Sequence, residues 1–193
     1  SDTSDSYSSA HLCTIEGQQQ IIFMTGDCAA GINIEDGSYL WKHTWPFETR
    51  ILQPAVLSNG ELLINSGQKR GVRLIKVKKE PNGWDTEEIW TSTRMRTEFN
   101  DFITHKAHIY GFDGPNIVCI DAENGERKWK GNRYGGQLIL LADQDLLLIL
   151  SEKGEIVLVS ADTKEFKELS KLEALSGKTW NHPVLVNDVL LVR

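Results

Sequence analysis

A phrase of about ten residues occurs twice in this 193-residue chain, and this internal repeat constrains the fold more than any other feature. Each copy has an alternating apolar run, a turn that contains glycine, and a tryptophan four places after that glycine. The first copy holds Gly37 and Trp41, and the second holds Gly125 and Trp129. Self-similarity of this kind indicates an array of similar structural units.

Two weaker copies set the period of the repeat. One ends at Trp90 after a longer turn with Gly83, and the other covers residues 156–168, where Glu168 stands at the tryptophan position. From Trp41 onward these positions follow one another in steps of 49, 39 and 39 residues. A period of about 40 to 50 residues, carried by strands of alternating polarity, is typical of propeller blades.

The sequence therefore predicts an all-β fold. It is a β-propeller of four-stranded antiparallel blades with tryptophan-docking motifs, with about four blades, a partial fifth and an incomplete ring. Asn-Gly and Asp-Gly pairs between alternating runs favour tight hairpins, because their backbone tolerates positive φ. The predicted organisation is a disordered or extended segment at 1–8 and a single propeller domain at 9–193, with blades at about 9–43, 54–92, 99–131 and 136–172 and a partial blade at 180–193.

Within the third blade we predict strands at 99–104, 107–112, 116–122 and 126–130, with turns at 105–106, 113–115 and 123–125. One segment conflicts with the repeat. Residues 165–175 carry apolar side chains every three residues among charged neighbours, a pattern typical of an amphipathic helix. The repeat register places an outer strand there instead, and we follow the register.

The repeated glycine and tryptophan have a mechanical role in this prediction. A large flat side chain on an outer strand fills the gap between neighbouring blades, and the glycine turn aims it. Burying one tryptophan removes about 200 Å² from water, worth a few kcal/mol at about 25 cal/mol per Å². Glu168 predicts a weaker joint after the fourth blade. The predicted blade-docking residues are Gly37, Trp41, Gly83, Trp90, Gly125 and Trp129.

Composition excludes several classes of function. The net charge of −6 argues against a nucleic-acid surface, which needs concentrated Lys and Arg. No apolar run approaches the roughly 20 residues of a membrane span, and the serine-rich start has no features of a signal peptide. Cys13, Cys28 and Cys119 form no CxxC pair, and a bridge between Cys13 and Cys28 stays open.

The sequence matches known catalytic and metal-binding patterns only weakly. His105 and His108 have metal-ligand spacing, but a predicted turn separates them and no further ligand is near in sequence. Residues 121–125 are similar to a calcium loop, but the glycine comes one place early, so we predict a turn. We predict no catalytic residue and no metal. A basic run either faces solvent on a strand or docks an acidic partner: Lys69, Arg70, Arg73, Lys76, Lys78 and Lys79.

The motif Ile-Asp-Ala-Glu-Asn-Gly-Glu-Arg-Lys-Trp at 120–129, with its fainter partner at 34–41, resembles the tryptophan-docking motif of quinoprotein-type β-propellers. That superfamily includes the pyrroloquinoline quinone (PQQ) alcohol dehydrogenases and the BamB assembly lipoproteins. Residues 108–113, 148–155 and 177–180 resemble more closely the PQQ-like repeat proteins of environmental bacteria. The resemblance implies a periplasmic or envelope location and the C-terminal half of a larger propeller.

The resemblance also orders the functional hypotheses. The first is a non-catalytic scaffold that binds a protein or peptide partner, and exposed blade faces suggest a homodimer as well. The alternative is a fragment of a PQQ- and calcium-dependent alcohol or sugar dehydrogenase, the only reading that implies a cofactor. No residue here matches a calcium ligand or catalytic Asp of that family, and its adjacent cysteine pair is absent. A second alternative is a carbohydrate-binding propeller that uses exposed Trp45, Trp84 or Trp180.

Overall fold

The computed structural model of the chain describes residues 6–45, 51–57, 60–65, 69–97 and 99–193. Most of the predicted N-terminal segment, residues 1–5, lies outside the described residues. The chain forms two compact units, Ser1–Phe99 and Asn100–Arg193. Each unit is built from antiparallel sheets whose strands follow one another in sequence order.

The first unit contains two four-stranded sheets, here called the first and second sheets. The first sheet has β1 (His11–Ile15), β2 (Gln18–Met24), β3 (Cys28–Asn33) and β4 (Tyr39–Thr44). The second sheet has β5 (Ala55–Val56), β6 (Glu61–Asn65), β7 (Val72–Glu80) and β8 (Gly83–Ser92).

The second unit contains the third and fourth sheets and a two-stranded hairpin. The third sheet has β9 (Ile103–His105), β10 (His108–Asp113), β11 (Asn116–Asp121) and β12 (Arg127–Arg133). The fourth has β13 (Gln137–Leu141), β14 (Leu146–Leu150), β15 (Glu155–Ser160) and β16 (Glu168–Glu173), with one 3-10 turn at Ala142–Gln144. The hairpin pairs β17 (Val184–Val186) with β18 (Val189–Leu191).

The same irregularity recurs in all four sheets between the third and fourth strands. Trp41 pairs with Gly31, Trp90 with Leu74 and Trp129 with Cys119, and in each case the register then shifts by one residue. An inserted residue of this kind bends a strand and re-aims the side chain beside it. The repeat is therefore a repeat of backbone geometry as well as of residue type.

The bulge in the fourth sheet identifies the true equivalent of the tryptophans. There Leu158 pairs with Ser170 and Val159 pairs with Glu168, so Ser170 takes the position that the other sheets give to tryptophan. The spacing of the sequence repeat placed Glu168 in that position, and this prediction was wrong by two residues. The reason is the connection from β15 to β16, which is two residues longer than the one from β11 to β12.

Two apolar cores hold the sheets together in pairs. One core joins the first and second sheets and contains Ile22, Trp41, Leu62 and Ile75 among its buried members. The other joins the third and fourth sheets around Trp129 and includes Tyr110, Leu147 and Val157. The inner strands contribute both of their faces to buried surroundings, because consecutive residues of β6, β10, β11 and β14 are buried.

The predicted all-β propeller class is confirmed, and residues 168–173 form a strand rather than a helix. The strands of the third sheet shift slightly from their predicted bounds. Its first strand begins only at Ile103, because the Asn100 side chain and the Asp101 amide instead bind Gly136 and Gln137. In the described part of the chain, no helix is long and apolar enough to cross a bilayer.

Candidate functional site

Trp129 lies at the junction of the third and fourth sheets. Its side chain is 7% exposed, and its indole Nε1 donates a hydrogen bond to the backbone oxygen of Asp162 at 2.7 Å. Its ring packs against Tyr110 and Phe166 with centroid distances of 5.9 and 5.7 Å. Tilted aromatic pairs at this range stabilise a contact beyond their buried area.

Phe166 is a member of this junction that the sequence analysis did not assign to it. The residue lies in the connection before β16, and its ring occupies the space beside Gly131 where a Cβ atom would sit. Gly131 therefore allows the Phe166 ring to approach the backbone of β12. A glycine inside a strand is the sequence signal for such a close approach.

Trp41 occupies the corresponding place between the first and second sheets, but its hydrogen bond stays within its own sheet. Its side chain is 4% exposed, and Nε1 donates to the Oε1 atom of the fully buried Gln20 at 2.6 Å. A Cβ atom at Gly31 would overlap both the indole and the Gln20 amide. The ring thus lies across β3 and presents its outer face to the second sheet.

The structure places the other predicted docking residues as follows. Trp90 is 9% exposed, and Gly37 and Gly125 adopt φ of 73° and 70° in the turns that precede Trp41 and Trp129. Positive φ of this size favours glycine. Gly83 begins β8 with φ of 138°. All three tryptophans of the predicted docking set are therefore buried.

The outer strand of the fourth sheet is open on both faces. All six residues of β16 are exposed, including Leu169 and Leu172, and β16 is the last strand of its sheet in the described residues. The nearby sequence continues this character, because the β17–β18 hairpin exposes Val184, Val186 and Leu191 among others. An unpaired edge with apolar side chains is a surface on which another strand can pair.

The histidines and acidic residues do not assemble into a metal centre in the described residues. His105 binds the Asp145 carboxylate at 2.7 Å, whereas His108 contacts the Lys106 backbone oxygen at 2.8 Å, so the two side chains have different partners. The strand continues through His105, and the turn falls on Lys106 and Ala107, both with positive φ. Residues 121–125 form the predicted turn, in which the Gly125 amide donates to the Asp121 oxygen.

The three tryptophans considered for carbohydrate binding differ in exposure. Trp45 is 3% exposed, so the prediction that it is a surface residue was wrong; its ring is covered by the Arg73 guanidinium at 4.3 Å. Trp84 is partly buried beside Lys79. Trp180 is 67% exposed, with Lys178 over its ring and Nε1 donating to Glu152.

The three cysteines form no disulfide bond among the described residues. Cys13, Cys28 and Cys119 are free thiols, and the last two are buried. Burial raises the pKa of Cys119 to about 12, which keeps it a thiol at neutral pH.

In the basic run of residues 69–79, Lys78 pairs with Glu87 across the β7–β8 ladder on an exposed face, as expected for a solvated strand.

No family model and no curated protein sequence matches the chain. The chain does match solved structures. The chain is similar to BamB from Moraxella catarrhalis, with 12% identity and a TM-score of 0.54 over 97% of this chain and 69% of that one. It is similar to the quinohemoprotein alcohol dehydrogenase ADHIIG from Pseudomonas putida HK5, with 12% identity and a TM-score of 0.62 over 97% of this chain and 39% of that one.

A third similar structure is that of the RRP9 WD40 repeats, with 12% identity and a TM-score of 0.60 over 85% of this chain and 53% of that one. The chain therefore spans about half the length of that structure and less of the dehydrogenase. At these identities the likeness concerns the fold alone.

These sheets, with their recurrent bulge and buried outer-strand tryptophans, define the chain as a β-propeller protein. The solved structures that share this fold include BamB, a quinohemoprotein alcohol dehydrogenase and WD40 repeats.

Proposed function

We propose that this chain is a non-catalytic propeller scaffold of the bacterial envelope that binds a protein or peptide partner. The observation that carries the proposal is the open outer strand β16, all of whose residues are exposed. Similarity to BamB over 97% of the chain supports the same class of role and an envelope location. In this proposal Trp41, Trp90 and Trp129, with their glycine turns, hold the blades rigid so that the strand is presented in a fixed geometry.

The chemistry of β16 fits the addition of a partner strand. Its outer edge, which has no neighbouring strand in the described residues, offers backbone groups for main-chain hydrogen bonds, and Leu169 and Leu172 supply exposed apolar contacts. Glu168, Lys171 and Glu173 flank these leucines. Charged residues on an edge discourage indiscriminate pairing, although Lys171 and Glu168 are already bound to Glu155 and Asn132 within the chain.

A site-specific photocrosslinker at position 172 tests this surface, with position 12 as the matched control. Leu172 and Leu12 are both exposed leucines on strands, at 56% and 61%. We expect a protein adduct from position 172 and none from position 12, and we expect Leu172→Lys to abolish partner capture while Leu12→Lys retains it. Equal adducts at both positions, or none at position 172, contradict the proposal.

A PQQ- and calcium-dependent alcohol or sugar dehydrogenase remains the alternative, favoured by the TM-score of 0.62 to the quinohemoprotein alcohol dehydrogenase. Its cofactor would be PQQ with calcium. Addition of both separates the two functions. The scaffold predicts an unchanged melting temperature and no dye-linked alcohol oxidation, whereas a stabilised protein with oxidation establishes the enzyme and rejects the scaffold.

A carbohydrate-binding propeller depends now on Trp180, the most exposed of the tryptophans considered. Exposed rings stack on sugar faces, but Lys178 already covers this ring at 4.7 Å. Glycan-array binding that is lost in Trp180→Ala would support this function. Silence on the array rejects it.

The exposed apolar side chains of the second unit also suggest a second copy as partner. A hairpin of two strands is marginally stable alone, and β17–β18 exposes most of its apolar residues. A homodimer that covers them predicts a concentration-dependent mass in light scattering, reduced by Leu185→Lys. A monomer of constant mass at high concentration contradicts the homodimer and leaves the scaffold function untouched.

A further inference from the structure

The junction between the first and second sheets has a polar part beside the Trp41 core. His43, two residues after Trp41 on β4, is 9% exposed and faces the second sheet. Its Nδ1 lies 3.2 Å from the Thr86 hydroxyl oxygen, and its Nε2 lies 3.2 Å from the Nη1 atom of Arg73. Both partners belong to the second sheet, so one imidazole bridges two sheets.

The contact with Arg73 determines the tautomer of this ring. A guanidinium has only donors, so Nε2 of His43 must accept the hydrogen bond and therefore carries no proton. The proton of the neutral ring is then on Nδ1, where it is donated to the Thr86 hydroxyl. This arrangement exists only while the imidazole is uncharged.

The other contacts of Arg73 are mostly within its own sheet. Nε donates to the Thr91 hydroxyl at 2.7 Å, and Nη2 pairs with Glu88 at 3.1 Å, both on β8. The Trp45 ring, which follows β4 of the first sheet, also contacts the guanidinium, with 4.3 Å between its centroid and the Arg73 Cζ atom. Loss of the His43 contact would leave Arg73 held by β8 and would remove a link between the sheets.

We propose that His43 is an acid-sensitive clasp between the first and second sheets, closed when neutral and released when the ring gains a proton on Nε2. Protonation removes the acceptor for Arg73 and places two positive charges at hydrogen-bond distance. The Nδ1–H bond to Thr86 survives, so only the Arg73 link is broken.

The electrostatics of the junction support this assignment. Burial, and then the positive charge of Arg73, lower the pKa of His43 below its ordinary value of 6.5, while Glu88 opposes this shift. Arg70 adds positive charge near Arg73. A histidine with a lowered folded-state pKa favours the folded state when neutral. Its contribution is therefore complete above pH 6.5 and is lost as the pH falls from 6.5 to the folded pKa.

Nitrogen NMR of the protein labelled at histidine tests the clasp directly. We expect the neutral Nδ1–H tautomer for His43 and a titration midpoint below 6.5 that moves upward in Arg73→Met. The Nε2–H tautomer, or a midpoint at or above 6.5, overturns the proposal. This measurement on the unaltered protein does not depend on whether a variant folds.

Thermal unfolding at pH 7.5 and 5.0 gives a second readout with a matched control. His43→Gln keeps an amide oxygen that can accept from Arg73 but cannot be protonated in this range. We expect this variant to lose less melting temperature on acidification than the wild type, by a few °C. His11→Gln, which replaces the other histidine of the first unit, should behave as the wild type does. Equal losses in His43→Gln and the wild type contradict the clasp.

Discussion

The indole of Trp129 on β12 donates its hydrogen bond to the backbone oxygen of Asp162, which lies after β15 in the neighbouring sheet. The equivalent indole, that of Trp41, donates to Gln20 in its own sheet instead. Trp41 and Trp129, from two copies of the repeat, are therefore both buried at the same position of their sheets but have different hydrogen-bond partners. The difference leads to separate expectations for their substitution.

Trp129→Phe should lower the free energy of unfolding by about 1–2 kcal/mol, because it leaves the Asp162 oxygen without its donor. Trp129→Ala should cost about 3–5 kcal/mol, because it also removes the ring from the core. Urea unfolding followed by circular dichroism measures both. The control Trp180→Phe, at a 67% exposed position, should stay within about 0.5 kcal/mol of the wild type. Comparable losses in Trp129→Phe and Trp180→Phe would contradict the assigned role of the bond.

Gln20 and Trp41 should behave as a coupled pair. Gln20→Leu and Trp41→Phe each remove one side of the 2.6 Å hydrogen bond. In a double-mutant cycle we expect a coupling energy of about 1 kcal/mol, since the second substitution has no bond left to break. Gln19→Leu, at the exposed neighbouring position, should be additive with Trp41→Phe. An additive Gln20 cycle would show that the bond contributes nothing.

Gly131→Ala should destabilise the second unit by about 1–3 kcal/mol, because the new methyl group would overlap the Phe166 ring. Phe166→Ala removes the obstacle. The double variant should therefore cost less than the sum of the two single variants in chemical denaturation. A sum that is simply additive would mean that Phe166 moves aside without penalty.

The three thiols should react with a maleimide in a fixed order. Cys13 is partly exposed, so it should be labelled in the native protein, at a rate slowed by the raised pKa that burial gives it. Cys28 and Cys119 are buried and should be labelled only after unfolding. Peptide mass spectrometry before and after addition of urea measures this order. Recovery of a linked Cys13–Cys28 peptide would contradict the free thiols.

The Lys171 ammonium on β16 should control the titration of Glu155. Its hydrogen bond at 2.8 Å, opposed by desolvation and aided by Ser151, holds the pKa of Glu155 below the ordinary 4.5. A carboxylate with a lowered folded pKa contributes stability above pH 4.5 that is lost as the pH falls through the folded pKa. Lys171→Met should raise the Glu155 pKa in a carboxyl-detected NMR titration, and Lys164→Met on the preceding turn should not. An unchanged titration in Lys171→Met would mean that the pair forms no persistent bond.

Strands and turns could be predicted from the sequence because their signals are local. Apolar runs bounded by turn residues at 108–113 and 116–121 and glycine at 125 depend only on neighbouring residues, and each of these segments has the expected structure. The repeat added the long-range information, since copies of one pattern must fold alike. This is why residues 168–173 were correctly predicted as a strand although their own periodicity favoured a helix.

The errors arose where the outcome depended on distant partners. Trp45 was expected on the surface, yet it belongs to the core of the first and second sheets, and Arg73 of the second sheet lies on its ring. The repeat spacing matched Glu168 to the tryptophans because it took no account of the longer connection between β15 and β16. The strand pairing assigns Ser170 to that position.

By itself, the sequence determined that the chain is a succession of small antiparallel sheets with a tryptophan on each of the first three outer strands, because polarity and turn chemistry act over a few residues. Only the tertiary structure decided which atoms the Trp41 and Trp129 indoles bind, which polar side chains meet between sheets, and that no strand lies beside the outer edge of β16 in the described residues. Those outcomes depend on which atoms from distant parts of the chain come within hydrogen-bond or van der Waals distance of one another, and no spacing along the chain specifies such a distance.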